Sequence, residues 1–170
     1  MIKEMHGDIF HLLDTGVVQA IAHGCNGIGV MGAGVAYDVQ LRWPRLLKGY
    51  QEFCKNGMFA DVRVHVYEIP EGELNAGRII ANLYTQPRPG KCAELQLILA
   101  AVQKLDWILT ETEVYDVKSV AMPWIGAGLG GLKWPDVRDA LRLALEASPI
   151  EYLLVEYWPY SGKNGLDKSI

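Results

Sequence analysis

Two stretches of the 170-residue chain carry glycine at spacings suited to holding phosphate. Residues 24–36 read GCNGIGVMGAGVA, with GxGxxG at Gly27, Gly29 and Gly32. Residues 123–134 read PWIGAGLGGLKW, with the same spacing at Gly126, Gly128 and Gly131. Glycine lets backbone N–H groups approach an anion closely, and a following helix adds positive potential at its N-terminus. Two such loops on separate strands can grip the two halves of a diphosphate. For either loop alone, tight turns and helix–sheet packing explain glycine equally well; two loops at equivalent strand ends favour an anion. His23 precedes the first loop at a strand end, where an imidazole can serve as acid, base or phosphate contact. A buried histidine bonded to backbone is the alternative at that position.

Other chemistries fit less well. A dinucleotide-binding unit needs an acidic residue ending the strand about 20 residues past its glycines, yet RLLKGYQEFCK, with Glu52 inside it, reads as helix there. After the second loop Glu156 is on a strand, but too little chain follows to finish such a unit. No GxxxxGK[ST] occurs. Cys25 has no activating histidine at a known spacing and reads as a structural thiol. His6, His11, His23 and His65 form no HxxxH pair, and Cys25, Cys54 and Cys92 form no CxxC, so neither a metal site nor a cofactor is expected.

The elements that must position these residues alternate. Strands are predicted at Ile2–His6, Gln19–Gly24, Val62–Ile69, RIIANLYT, Lys118–Met122 and Glu151–Tyr157. Helices are predicted at AYDVQLRW, at RLLKGYQEFCK with Pro44 in its first turn, at Ala93–Leu109, and from Pro135 through WPDVRDALRLALEA. Alternation of this kind implies a largely parallel sheet with helices on both faces. Trp43, Trp107 and Trp134 read as helix–sheet packing; Trp124 and Tyr157 end strands beside the expected cleft and are candidates for stacking on a base or sugar. Half the residues are hydrophobic and the net charge is −4, which excludes a general nucleic-acid or membrane-surface binder. No membrane-length apolar run or leader is read, and the odd cysteine count fits reduced thiols, so a cytoplasmic protein is expected.

A strand ending in GDIF, then AHGCNGIGVMGAGVA, then MPWIGAGLGGLKW before a helix resembles the macro domain family over nearly the whole chain. The similarity is to the branch holding ADP-ribose 1″-phosphate phosphatases and terminal ADP-ribose protein glycohydrolases, with DNA ADP-ribosyl glycohydrolase antitoxins in a related branch. The resemblance implies a three-layer α/β/α macro domain over residues 1–159, with a mixed, mostly parallel sheet of about six strands and a polar tail at 160–170. It also implies ADP-ribose or its 1″-derivatives as ligand, with ADP-ribosylated macromolecules as further partners.

Carried over by position, the resemblance puts Asp8 against the adenine amine with the backbone of Ile9 beside it, and Asn26 against the distal ribose. Gly32, Ala33, Gly34 and Val35 would border that ribose and the proximal phosphate. Gly126, Ala127, Gly128, Leu129 and Gly130, flanked by Pro123 and Ile125, would wrap the diphosphate, and Tyr157 would close the cleft. From the residues alone, Asp8 is equally readable as a helix-capping aspartate and Asn26 as a turn residue. Lys91 falls where the terminal glycohydrolase branch has a lysine, but Gly130 stands where that branch has an aspartate. Ala33 stands where the DNA-directed antitoxins have a lysine. His23, Asn26 and Lys91 therefore remain as catalytic candidates. The expected activity is a phosphatase on ADP-ribose 1″-phosphate, the alternatives being an ADP-ribosyl or O-acetyl-ADP-ribose hydrolase and a reader without turnover.

Overall fold

Residues 20–26, AIAHGCN, are apolar and small, and they form a strand buried along nearly its whole length. Such a strand has to lie inside a sheet covered on both sides. In the computed structural model, which describes residues 1–112 and 114–157, that sheet has six strands. Chain order is β1 (Ile2–Gly7), α1 (Ile9–Asp14), β2 (Ala20–Asn26), α2 (Gly34–Arg42), α3 (Pro44–Lys55), a 3₁₀ turn (Met58–Ala60) and β3 (Val64–Glu68). There follow β4 (Ile79–Gln86), α4 (Leu95–Glu111), β5 (Ser119–Pro123), α5 (Trp134–Ala144) and β6 (Glu151–Tyr157). The strands lie in the order β1-β6-β5-β2-β4-β3, and every pairing is parallel except β3 with β4.

Period-two alternation divides the sheet's side chains between two cores. Ala20, Ala22, Ile79, Ala81, Val120, Met122, Tyr152 and Leu154 pack under α4 and α5. Ile21, Ile80, Ala121, Leu153 and Val155 pack under α1, α2 and α3. This is the three-layer α/β/α arrangement. Trp43 stops α2 because Pro44 follows it and opens α3.

Three details add to or depart from the expectations. Asp8 caps α1, as its reading from the residues alone had it, accepting on Oδ1 from the N–H groups of Phe10 (2.8 Å) and His11 (3.4 Å). That short helix was not expected, because IFHLLD is too brief to display helical periodicity. The strand expected from Val62 begins only at Val64, since Arg63 takes φ +66° and cannot continue it. Trp107 is not helix–sheet packing; it is 50% exposed on α4, with Lys104 Nζ 3.9 Å over its ring. Trp43 and Trp134 are buried as expected. The polar tail at 160–170, with residues 158 and 159, lies outside the described residues.

Candidate functional site

The parallel pairing brings the C-terminal ends of β2, β4, β5 and β6 to one edge, so the segments leaving β2 and β5 face each other there. Loop 1 joins β2 to α2 and is organised by a side chain. Asn26 donates from Nδ2 to the Val30 carbonyl (2.6 Å) and accepts on Oδ1 from Ile28 N–H (3.1 Å) and Val30 N–H (3.3 Å). Tyr50, fully buried on α3, donates to the Asn26 carbonyl at 2.5 Å. Gln51 donates to the Gly29 carbonyl, and Gly29 sits at φ +79°, a left-handed conformation that favours glycine, with Gln51 Cγ 3.2 Å from where a Cβ would be.

Loop 2 joins β5 to α5 and is organised by its backbone. Leu132 N–H reaches the Gly126 carbonyl (2.9 Å), Gly131 N–H the Gly128 carbonyl (3.2 Å), and Ala93 N–H the Gly130 carbonyl (3.2 Å). A Cβ on Gly126 would lie 2.6 Å from Ile98 Cδ1. One on Gly130 would lie 2.6 Å from Ala93 Cβ and 2.7 Å from the Gly126 carbonyl oxygen. Position 130, where an aspartate would be needed for the lysine–aspartate chemistry, is therefore closed to any side chain. The N–H groups of Gly128, Leu129 and Gly130 donate to no acceptor among the described residues.

Between the loops runs a cleft of about 500 Å³, a size suited to a nucleotide-like ligand. It brings together His23, Ala33, Gly34, Val35, Pro123, Ile125, Gly126, Ala127, Gly128, Leu129, Gly130 and Tyr157. A second lobe of about 360 Å³ adjoins it, reaching Asn26 and Gly32 and ending against Pro89 and Gly90. The lobes share Gly24, Ala33, Ala36, Gln86 and Leu129. The cleft thus crosses the strand ends from β6 to the segment after β4. No lysine or arginine lines either lobe among the described residues.

Asp8, Ile9 and Lys91 do not line it. The Ile9 side chain is fully buried in the core, and Asp8 accepts on Oδ1 from the first turn of α1. Lys91 is exposed, and its Cβ and Cγ lie beside Gly131 of loop 2. Conversely, Thr85, Gln86, Trp134 and Glu156 line the cleft without having been assigned as site residues, and Trp124, a stacking candidate in the sequence, lines it as well. Thr85 and Gln86 end β4, and only the β2–β4 pairing puts that end beside His23 and Asn26. Trp124 and Trp134 stack nearly parallel, centroids 4.9 Å apart. Their indole N–H groups are buried and have no acceptor among the described residues.

His23 is 1% exposed, and burial lowers its pKa to about 4, against a raising influence from hydrogen bonds to Asn82 and the Gly24 backbone. At neutral pH it is a neutral imidazole, with one N–H and one lone pair and no charge to contribute. It lies in a buried polar row: Cys25 Sγ is 3.6 Å from its Nδ1, Asn82 is its partner across β4, and Asn82 Nδ2 is 2.8 Å from His65 Nδ1. Burial lowers His65 to about 4 as well. Burial, with the neighbouring Cys54 adding to it, pushes the Cys25 thiol well up, so Cys25 stays protonated and is no nucleophile. The Tyr157 hydroxyl donates to Asp38 Oδ2 (2.9 Å), and burial followed by that bond pushes its pKa up. Among the described residues no group of His, Cys, Asp and Glu is placed to hold a metal.

Comparison with known proteins agrees with this geometry. The model of the family described as "Macro domain" matches residues 22–141. The chain is 33% identical over 143 residues to a DNA ADP-ribosyl glycohydrolase of Thermus aquaticus, covering 84% of this chain but only 37% of that protein. The chain thus spans well under half the length of that relative. It is 28% identical over 145 residues to an ADP-ribose 1″-phosphate phosphatase of Candida albicans, covering 84% of this chain and 92% of the relative. The solved macrodomain of Thermus aquaticus DarG superposes with a TM-score of 0.77 at 29% identity, covering 94% of this chain and 99% of that one.

Proposed function

Since the chain belongs to the macro domain family, we propose that its cleft binds ADP-ribose and that the protein hydrolyses the bond to a group on the distal ribose, first of all the phosphate of ADP-ribose 1″-phosphate. The observation that carries this reading is the chemical polarity of the cleft. Its β5–β6 end is aromatic, with Trp124, Trp134 and Tyr157, and suits a base. Its middle is loop 2, whose Gly128, Leu129 and Gly130 amides are uncommitted and suit a diphosphate. Its far end, lined by glycine and proline with the amides Asn26 and Gln86, has room for a sugar and its substituent.

In that pose water attacks phosphorus, the bond from phosphorus to the ribose 1″ oxygen breaks, and the proton lost by water goes to the departing oxygen. The products are ADP-ribose and inorganic phosphate. Loop 1 orients the ribose, and neutral His23 offers a hydrogen bond to the water or to a phosphate oxygen. No side-chain nucleophile is needed, in keeping with Gly130 and Ala33 where related branches of the family carry aspartate and lysine. The relatedness to ADP-ribose 1″-phosphate phosphatases supports the same choice. A second reading, removal of ADP-ribose from a macromolecule, is favoured by the relative that is a DNA ADP-ribosyl glycohydrolase. With position 130 closed, Lys91 is its only side-chain support.

A turnover panel with ADP-ribose 1″-phosphate, O-acetyl-ADP-ribose and ADP-ribosylated protein or DNA tests the proposal. Phosphate release that survives Lys91→Ala and is lost in His23→Ala is expected. Release from DNA or protein that depends on Lys91 would establish the second reading, and survival of every substrate would leave a binding module.

A further inference from the structure

The second lobe carries little side-chain chemistry for a reaction on a sugar substituent. Among its lining residues only Cys25, Asn26 and Gln86 have polar side chains. Asn26 has both ends of its amide committed to loop 1, and Cys25 is a buried, protonated thiol. Gln86 remains. It is also the one polar side chain among the five residues that the two lobes share.

A bulge presents it. β2 and β4 pair in step from Ala20 opposite Ile79 to Cys25 opposite Tyr84, and the register then shifts so that Asn26 lies opposite Gln86. Thr85 is the extra residue, and its hydroxyl is spent on the Cys25 carbonyl (3.2 Å). A bulge at a strand end re-aims the side chain beside it, here that of Gln86. The amide is then held in one orientation. Gln86 Nε2 donates to the Arg88 carbonyl (2.7 Å) and to the Gly90 carbonyl (3.3 Å), and only the nitrogen end can donate to both. Oε1 is thereby left as a positioned acceptor that takes no hydrogen bond from any described residue, next to the Pro89–Gly90 end of the lobe. An acceptor without a proton has nothing to offer a phosphate oxygen, but it suits water.

We propose that Gln86 is a further catalytic residue, whose Oε1 accepts a hydrogen bond from the attacking water and so turns the water's lone pair toward the substituent on the distal ribose. The assignment rests on the hydrolase reading of the cleft and adds to it the group that holds the nucleophile. With ADP-ribose 1″-phosphate, a bond forms from the water oxygen to phosphorus and the bond from phosphorus to the ribose oxygen breaks. The proton bonded to Oε1 stays on the incoming oxygen, the water's other proton passes to the departing oxygen, and the amide is neutral throughout. Its contribution is orientation rather than proton transfer.

The test is steady-state phosphate release from ADP-ribose 1″-phosphate by the full chain, alongside calorimetric titration with ADP-ribose. Gln86→Met keeps the length and removes the acceptor; kcat is expected to fall at least ~100-fold while ADP-ribose affinity stays within ~3-fold. Gln86→Glu keeps an acceptor but loses the donor to Arg88 and Gly90, and its kcat is expected to exceed that of Gln86→Met at least ~10-fold. Undiminished kcat in Gln86→Met overturns the assignment. So does equal impairment of the two variants, which would make the donor to Arg88 and Gly90 the part that matters. A parallel loss of kcat and ADP-ribose affinity in Gln86→Met overturns it too, reducing Gln86 to a part of the wall. Wild-type protein that binds ADP-ribose but releases no phosphate overturns the phosphatase reading itself, and the assignment with it.

Discussion

Loop 1 and loop 2 share a glycine spacing and face each other across one cleft, yet they are held in opposite ways. Loop 1 is pinned by polar side chains: Asn26 binds its own turn, Tyr50 binds Asn26, and Gln51 binds Gly29. Its outward residues, Ile28 and Val30, are exposed. Loop 2 has no such pins among the described residues. Its shape follows from the absence of side chains at Gly126 and Gly130, where Ile98 and Ala93 occupy the space. A loop shaped by steric exclusion keeps its amides free for a ligand, while a loop shaped by an amide side chain has spent that side chain on itself. Loop 2 is therefore free to meet an anion, while Asn26, bonded within its own turn, shapes the wall of the second lobe.

Substitutions separate these two modes of support. The largest effect is expected at Gly130→Ala, whose Cβ would fall 2.6 Å from Ala93 Cβ and 2.7 Å from the Gly126 carbonyl. Overpacking against backbone costs up to roughly 3 kcal/mol, or about 6–12 °C in Tm for a chain of this size, measurable by calorimetry. Binding of ADP-ribose is expected to be lost with it.

Acid acts next, and on the loop 1 side. The folded pKa of His23 is about 4 against the ordinary 6.5, so the unfolded chain binds more protons in between. Stability is then fully present above pH 6.5 and is lost as pH falls toward 4, by roughly 3 kcal/mol for a histidine this deeply buried. Urea denaturation across that window should show the loss in the wild type and a shallower dependence in His23→Leu.

Asn26→Ala follows, leaving the Ile28 and Val30 N–H groups and the Val30 carbonyl without this partner. A loss of about 2 kcal/mol is expected, with faster amide exchange confined to loop 1. Tyr50→Phe removes one buried hydrogen bond while keeping the ring against Phe59, and should cost about 1 kcal/mol. Gly128→Ala closes the series. A Cβ there meets nothing within 4 Å, so stability should hold within ~0.5 kcal/mol. Its ADP-ribose affinity should nonetheless fall several-fold, because the added methyl stands on the wall that the diphosphate must approach.

The sheet was legible in the sequence because apolar strands and amphipathic helices alternate, with Pro44 ending one helix and opening the next and Pro135 opening the last. What escaped depended on contacts that sequence does not carry. Lys104 caps the ring of Trp107 and makes an exposed tryptophan tenable, while composition alone suggested packing. The two glycine loops were visible as spacing and position, and they do frame the cleft. Glu156, Thr85 and Gln86 became site residues only through the strand order, which sets β6 and β4 on opposite sides of the central pair. His23 was open in sequence between a buried histidine and a cleft residue. It is both, because the pairing of β2 with β4 puts Asn82 beside it at the cleft floor.

If loop 2 holds a diphosphate through backbone amides kept free by glycine, the consequence is measurable by calorimetric titration of ADP-ribose into the wild type and Gly130→Ala, with folding verified for each. Saturable one-to-one binding is expected for the wild type, with at least a ~10-fold loss in a folded Gly130→Ala. No heat in the wild type, or undiminished affinity in a folded variant, would contradict that role for loop 2.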